Sequence, residues 1–467
     1  MPTSISDLFS RHMRRWIPDP FVFALVVTLL IAALAWTVTG SGLNAVIGHW
    51  YRGFWMLLEF GMQAILILTT GYAIALSPFA SRGINRLALM ARTPGSVYVL
   101  VLVVGSLLSL ISWGWIVLTA ILARELARRV EGVDYAYLVA CVYLSGQPWV
   151  GGLSSTIPLV MNTENNFLVQ AGVVAWTIPT QQTLGGLMNF AYIAVFMISM
   201  PLLMWWMRPD PRRVRTLDEL RGDGSETKAT VAEEAEASRL GGRTLSDQLN
   251  HSSMIQLIVA VGALWYCVRH FATNGFDIDL NLMIFIFLAL GLLAHRTPMR
   301  YVVAMKRACA NVSGIVFQYP FYAGIMGITM FSGLGAMVSS GLASGASIST
   351  LPLIAHFSGA LINFAIPSAG GEWAVIGPAL TEAALSLTAN LSVAEQQAYV
   401  GRIAMAVAYG ETTTNLLQPF YLLVILPVMG AGVVIQARDV MGYLIIPFIA
   451  IYSLTAALVW FAAVSYA

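Results

Sequence analysis

The sequence predicts an all-α polytopic membrane protein with about nine transmembrane helices plus two re-entrant helical hairpins, arranged as an inverted structural repeat. Three observations carry this. Apolar residues make up 58% of the chain and charged residues 10%, with a mean hydropathy of +0.75, where soluble domains run to about 45–50% apolar and about 25% charged. Apolar stretches long enough to cross a bilayer recur from one end of the chain to the other. Interruptions rich in Gly, Pro, Ser and Thr fall inside four of those stretches, two on each side of a single hydrophilic interval.

Taken in order, stretches of about 17–25 residues lie at 21–39, 53–76, 136–160, 184–207, 254–271, 280–295, 311–332, 401–428 and 441–462. The N-terminal SRHMRRWIPDP lacks a small-residue cleavage site, so the first stretch reads as an uncleaved helix. Two further apolar stretches, about 96–130 and 350–388, are too long for one helix and are broken by SWGW (112–115) and PSAGGEW (367–373). Each reads as a hairpin that enters the membrane and turns back. The basic clusters Arg11, Arg14 and Arg15, Arg82, Arg86 and Arg92, Arg124, Arg128 and Arg129, Arg208, Arg212, Arg213 and Arg215, and Arg296, Arg300, Lys306 and Arg307 then share one face. The positive-inside rule makes that face the cytoplasm. The opposite loops, NTENN (162–166) and NGFDID (274–279), contain no Lys or Arg. The N-terminus is expected inside and the C-terminus outside, with the first hairpin entering from the cytoplasm and the second from outside.

This layout divides the chain into a first half (1–207), a hydrophilic linker (208–252) and a second half (253–467). The linker mixes both signs of charge and reads as a mobile, solvated connector with a short helix around 229–240. Cys141, Cys267 and Cys309 are isolated in or beside apolar runs and read as small buried hydrophobes, with no disulfide or zinc spacing. A net charge of +2 gives no footprint for nucleic acid. No cofactor motif is present, and no GxxxxGK[ST] for primary, nucleotide-driven transport. The six histidines show no HxxH or HExxH spacing, which leaves an integral-membrane enzyme without a catalytic set.

A broken helix at membrane depth exposes backbone groups that are tolerated only in protein or beside a wet cavity. In the first half the breaks are SWGW and SGQPWVGGLSST (145–156), offering Ser112, Trp113, Gly114, Gln147, Gly151, Gly152, Ser154, Ser155 and Thr156. In the second they are NFAIPSAGGEW (363–373) and YGETTTNLLQP (409–419), offering Asn363, Pro367, Ser368, Gly370, Gly371, Glu372, Trp373, Glu411, Thr412, Thr413, Thr414 and Asn415. Helix N-termini suit a small carboxylate, while hydroxyls and unwound carbonyls suit a hard cation such as Na+. Candidate Na+ positions lie near Ser112, Ser154 and Ser155 and near Ser368, Thr413 and Asn415. Glu372 and Glu411 are expected at membrane depth, where an ionisable residue marks function by default. Each is a candidate for proton or sodium coupling, against a purely structural role. Trp113, Trp115, Trp149 and Trp373 could wall an apolar pocket for a short acyl tail. His356 reads as a satisfied structural histidine and Arg402 as interfacial.

The segments RWIPDPFVFAL, GFWMLLEFGMQ (53–63), ARELARRV (123–130), FQYPFYAGI (317–325), LINFAIPSAGGEW (361–373) and AVAYGETTTNLLQPFY (406–421) together resemble the bacterial short-chain fatty acid transporter family. The likeness runs end to end apart from the linker. It implies a multi-pass protein of the bacterial cytoplasmic (inner) membrane, with a scaffold that forms a homodimer and a transport domain that slides in an elevator movement. It also implies one subsite along Ser112–Gly114 and Gly151–Thr156 and another along Pro367–Trp373 and Glu411–Asn415. At two positions the chain departs from the pattern of that family: Glu372 stands where a His often precedes the hairpin Trp, and Ser112 where an Asn does. The expected activity is symport of a short-chain carboxylate with Na+ or H+. A channel, or a carrier for another small organic anion such as a dicarboxylate, is the alternative.

Overall fold

The structure is a computed structural model that describes residues 20–56, 58–162, 166–170, 172–210, 214–221, 230–239, 244–275, 280–310, 312–418, 421–430 and 432–464. The N-terminal basic cluster, Arg212, Arg213, Pro419, most of NTENN and most of NGFDID therefore lie outside the described residues. The described residues are helical apart from turns and one isolated bridge between Arg221 and Val433.

The first half contains α1 (Pro20–Val38), α2 (Leu43–Met56), α3 (Leu58–Ala75), α4 (Pro78–Ala88), α5 (Pro94–Ile111), α6 (Ile116–Arg129), α7 (Tyr135–Ser145), α8 (Thr156–Met161) and α9 (Leu187–Trp206). The linker contributes α10 (Val231–Ala237). The second half contains α11 (Ser253–Asn274), α12 (Leu280–His295), α13 (Pro298–Cys309), α14 (Ser313–Phe331), α15 (Leu334–Ala343) and α16 (Leu351–Asn363). It ends with α17 (Ala369–Leu387), α18 (Val393–Thr414), α19 (Leu422–Met429) and α20 (Ile445–Val464).

Local polar residues set several helix starts, because the first amides of a helix lack intrahelical acceptors. Thr93 and Ser96 close a reciprocal capping box before Pro94 of α5, and Ser392 and Glu395 do the same for α18. Asp134 accepts the Tyr137 amide at the start of α7 at 2.9 Å. Its other oxygen accepts the Arg215 amide at 3.1 Å.

Four stretches, Pro94–Ile111, Leu187–Trp206, Leu245–Asn274 and Ala437–Ala463, are by themselves long and apolar enough to cross a membrane among the described residues. A fifth is reached if Gly61–Ala75 and Pro78–Ala88, bent by 71°, count as one span. Two of the nine expected stretches are interrupted within the described residues. The stretch 136–160 is divided into α7 and α8, and 401–428 into α18 and α19, by 3-10 turns at Gly- and Pro-bearing segments. The short helices α4, α13 and α15 occupy sequence that had no helix assigned to it.

Helices α1, α2, α14 and α15 share one small core around Ala35, Val46, Ile328 and Leu334. Gly53 of α2 lies directly on Gly327 of α14, so a Cβ on either would meet the other's backbone. Helices α16 and α18 are pressed together in the same way, Gly359 against Val407 and Gly410 against the His356 carbonyl. Large apolar side chains such as Leu29, Leu187, Trp206 and Phe461 point outward. That surface would aggregate in water and is ordinary lipid contact in a bilayer.

The described parts of the linker are docked, where the sequence suggested a mobile connector. The Arg215 carbonyl accepts the Tyr135 amide at 2.9 Å, and the Leu220 carbonyl accepts the Val434 amide at 2.9 Å. Val231 and Ala235 of α10 pack on Val303 and Ala304 of α13, and Arg307 donates from Nε to Glu234 at 3.0 Å. Two of the three cysteines are buried, but Cys309 is exposed at the end of α13.

Candidate functional site

The first-half breaks are joined to each other by backbone and hydroxyl. Helix α5 ends at Ile111, Ser112 is extended, and Trp113–Trp115 form a 3-10 turn before α6. The Trp113 amide donates to Ser154 Oγ at 3.0 Å, and the Leu153 amide donates to the Leu110 carbonyl at 2.7 Å. Gly152 is required there, since a Cβ would overlap Leu110 O. Gly114 rests on the Ile67 carbonyl of α3. Asn189 of α9 donates to the Gly151 carbonyl at 2.9 Å and accepts the Tyr409 hydroxyl at 3.1 Å.

The second-half breaks are joined by side-chain amides. Helix α16 ends at Asn363, Ser368 is extended, and α17 starts at Ala369. Asn363 Nδ2 donates to the Glu411 carbonyl at 3.0 Å and to Asn415 Oδ1 at 3.2 Å. Gln418 Nε2 donates to the Asn363 carbonyl at 2.8 Å and to Asn363 Oδ1 at 2.5 Å. Asn415 Nδ2 reaches Glu411 Oε1 at 3.3 Å.

The two halves meet at these breaks. Thr412 donates to the Gln147 side-chain oxygen at 3.2 Å, and Tyr192 donates to the Gln147 carbonyl at 3.1 Å. Tyr143 of α7 donates to the Asn415 carbonyl at 2.5 Å. Gly370 at the start of α17 lies against Thr156 at the start of α8, with 3.0 Å between a notional Cβ and the threonine methyl. All four breaks therefore converge on one buried region, where hydrogen bonds join residues as many as 275 apart in sequence.

Several buried polar atoms in this region lack a hydrogen-bond partner among the described residues. They are the hydroxyls of Ser112, Ser155 and Ser368, both carboxylate oxygens of Glu372, Glu411 Oε2, Gln418 Oε1, and the indole nitrogens of Trp115, Trp149 and Trp373. Glu372 is 0% exposed and Glu411 1%. Buried polar groups are nearly always paired, so each of these atoms calls for a partner beyond the described side chains, be it water, an ion or a ligand.

Of the other residues read from the sequence, Pro367 is buried in the connection, and Gly371 lies against Met326 of α14. Thr413 and Thr414 turn their hydroxyl protons back to the carbonyls of Tyr409 and Gly410, at 2.6 and 3.1 Å, which leaves their lone pairs free. His356 Nε2 pairs with Thr455 Oγ1 of α20 at 2.9 Å, away from the breaks. Arg402 bonds the Ala398 carbonyl at 3.3 Å on its own helix. Asn189, Tyr143, Tyr192 and Gln418 join the breaks together and had not been singled out. Only Gln418 carried a local signal, its place beside Pro419 in the last interruption.

The model of the short chain fatty acid transporter family matches residues 1–461. A protein of Escherichia coli (strain K12), provisionally named a short-chain fatty acid transporter, is 37% identical over 94% of this chain and 95% of its own length. A protein of the same provisional name from Haemophilus influenzae is 35% identical over 95% of this chain and 96% of its own. The crystal structure of the Alcanivorax borkumensis YdaH transporter, a protein of unusual topology, aligns at a TM-score of 0.46 and 16% identity, over 95% of this chain and 97% of that one. The end-to-end match of sequence, with apolar helices throughout, identifies this chain as a member of the short chain fatty acid transporter family.

Proposed function

We propose that this chain is a secondary active carrier that moves short-chain fatty acids or related small monocarboxylates across the bacterial cytoplasmic membrane, in symport with Na+ or H+. The observation that carries the reading is the convergence of four helix breaks on one buried region with orphaned hydroxyls, carboxylates and indoles. Hydroxyls and indole N–H groups are the donors available to a carboxylate there, and Ser112, Ser155, Ser368 and the N-terminal amides of α17 supply them without a basic side chain. The tryptophans at the breaks wall the acyl tail.

In this reading the two halves are an inverted repeat, with residues 96–130 and 350–388 as hairpins entering from opposite faces. Helices α1, α2, α14 and α15 belong to a scaffold that forms the homodimer. The broken helices move against it as an elevator, with the N-terminus in the cytoplasm and the C-terminus outside. Support for a common cytoplasmic face comes from the docking of linker residues on Tyr135, Val434 and α13. The purified protein reconstituted in proteoliposomes is expected to exchange labelled butyrate or acetoacetate in counterflow, and to accumulate it under an imposed sodium or pH gradient. No exchange of any short-chain acid would overturn the substrate class. Unitary currents in a planar bilayer would make it a channel instead.

A further inference from the structure

We propose that helix α4 is an interfacial docking surface for anionic phospholipid headgroups, held by Arg82, Arg86 and Arg92. The inference needs only that the chain lies in a bilayer and is independent of what the chain carries.

Helix α4 leaves α3 at a bend of 71°, so the two cannot both run along the membrane normal. A helix turned across a span lies along the membrane surface. The buried side of α4 is set by Ile84 and Ala88, which with Ala91 join the core that contains Leu122, Leu126 and Val130. Its other side carries Phe79, Arg82 and Arg86, three and four residues apart and therefore on one stripe. All three are exposed, as is Arg92 beyond the helix. Phe79 is 72% exposed, and Leu89 and Met90, in the turn that follows α4, are 70% and 69% exposed. Arginines alone would be an ordinary solvated face, but large apolar side chains left bare beside them are not. Basic and bare apolar side chains on one side of a helix are the pattern of a segment lying at the boundary of headgroups and acyl chains.

Charge points to the occupant. From Pro78 to Glu131 the sequence has six arginines and two glutamates, with no Lys, Asp or His. Glu125 is taken up by Arg128 and Arg129, and Arg129 also donates to Asn85 of α4 at 2.5 Å. Arg82 donates from Nε to the Pro78 carbonyl of its own helix at 3.3 Å. No carboxylate pairs with Arg82, Arg86 or Arg92 among the described residues. Helix α13 supplies the contrast. It follows α12 as α4 follows α3, starts on a proline in the same way, and carries Arg300, Lys306 and Arg307. There the chain provides its own anion, since the acidic helix α10, VAEEAEA, docks on α13 and Glu234 accepts from Arg307 at 3.0 Å. On α4 the counter-charge is left to something outside the chain. A guanidinium presents a planar fork of N–H donors that fits the oxygens of a phosphodiester. An anion with an apolar tail meets the arginines and Phe79, Leu89 and Met90 at once, where a soluble anion meets only the arginines.

The purified full-length protein in a non-ionic detergent is titrated with phosphatidylglycerol or with phosphatidylcholine, and the thermal midpoint gives the lipid concentration at half effect. Native mass spectrometry counts the lipids retained. The test variant is Arg82→Gln/Arg86→Gln, and the control of matched charge is Arg269→Gln/Arg438→Gln, whose arginines are likewise exposed. Phosphatidylglycerol is expected to raise the wild-type midpoint more than phosphatidylcholine does. The α4 double variant should need about 25-fold more phosphatidylglycerol for the same rise, about fivefold for each arginine beside an anionic surface, while the control double variant follows the wild type. Soluble glycerol 3-phosphate should leave the midpoint unchanged. The inference is overturned if the α4 double variant responds as the wild type does, if the control loses as much, or if the two lipids act alike. A response to glycerol 3-phosphate equal to that of the lipid overturns it in favour of a free-anion site. A two-chain mass that only the α4 double variant loses overturns it in favour of an interface between copies of this chain.

Discussion

The two pairs of helix breaks close in chemically different ways. In the first half a main-chain amide meets a hydroxyl, Trp113 to Ser154, and another meets a carbonyl, Leu153 to Leu110. In the second half the bonds run through the side-chain amides of Asn363, Asn415 and Gln418 around Glu411, while neither oxygen of Glu372 has a partner among the described residues. The first pair is neutral and bonded mainly through the main chain; the second carries the ionisable groups. Two halves of similar plan thus divide the labour, one closing the shape of the region and the other holding its charge.

The largest effects should come from glycines at the close approaches, one in each half. Gly410→Ala would drive a methyl into the His356 carbonyl and Gly152→Ala into the Leu110 carbonyl, both rigid backbone. Each should cost about 3 kcal/mol, the upper end of the usual range for overpacked cores. Gly262→Ala, with open space around it, should leave the thermal midpoint in detergent near that of the wild type. If Gly152→Ala proves silent, the first-half closure is looser than its geometry implies.

Next in size is the contrast between the two kinds of bond. Asn363→Ala removes the donations to the Glu411 carbonyl and to Asn415 Oδ1 and one of the two acceptors of the Gln418 amide, which keeps the Asn363 main-chain carbonyl, so a loss of about 2–3 kcal/mol is expected for the buried groups left unpaired. Ser154→Ala removes one acceptor from the Trp113 amide and should lose about 1 kcal/mol. Equal losses, measured by urea or thermal unfolding, would erase the asymmetry between the halves.

Smaller again is the linker contact. Arg307→Ala breaks a pair with Glu234 whose carboxylate side is half exposed, so the expected change is at most about 0.5 kcal/mol. It should show as faster proteolysis of residues 231–237 rather than as a shift in global stability. The smallest effect is a pH dependence of α10. Backbone and side-chain hydrogen bonds from Thr230 hold the Glu233 carboxyl below its usual range. A group depressed in the folded state stabilises above its unfolded pKa, about 4.3, and loses that contribution as pH falls through the folded value. Protection of α10 against hydrogen exchange should therefore fall as pH drops below about 4.3. Thr230→Ala should abolish that trend.

Much of the plan was legible because breaks are local events. Gly, Pro, Ser and Thr clustered inside apolar runs at 112–115, 145–156, 363–373 and 409–419 mark where a helix ladder fails, and each of those segments contains an irregular or 3-10 stretch among its described residues. Membrane class followed from composition in the same way. Helices α4, α13 and α15 were missed because short amphipathic or small-residue segments between longer spans look like loops when hydropathy is averaged. The docking of 214–221 and 231–237 was missed because a polar segment gives no hint that its backbone carbonyls and two small apolar side chains have found partners.

By itself the sequence determined that this chain lives in a membrane, where its helices are interrupted, and which residues stand at the interruptions, since all of these depend on neighbours a few positions apart. Only the tertiary structure decided that Ser154 meets Trp113, that Thr412 meets Gln147 across 265 residues, and that the buried Glu372 carboxylate has no partner among the described residues. A hydrogen bond is satisfied by whichever group packing brings within about 3 Å. Many residues in such a chain could serve equally well, and which one does is settled by how the helices pack.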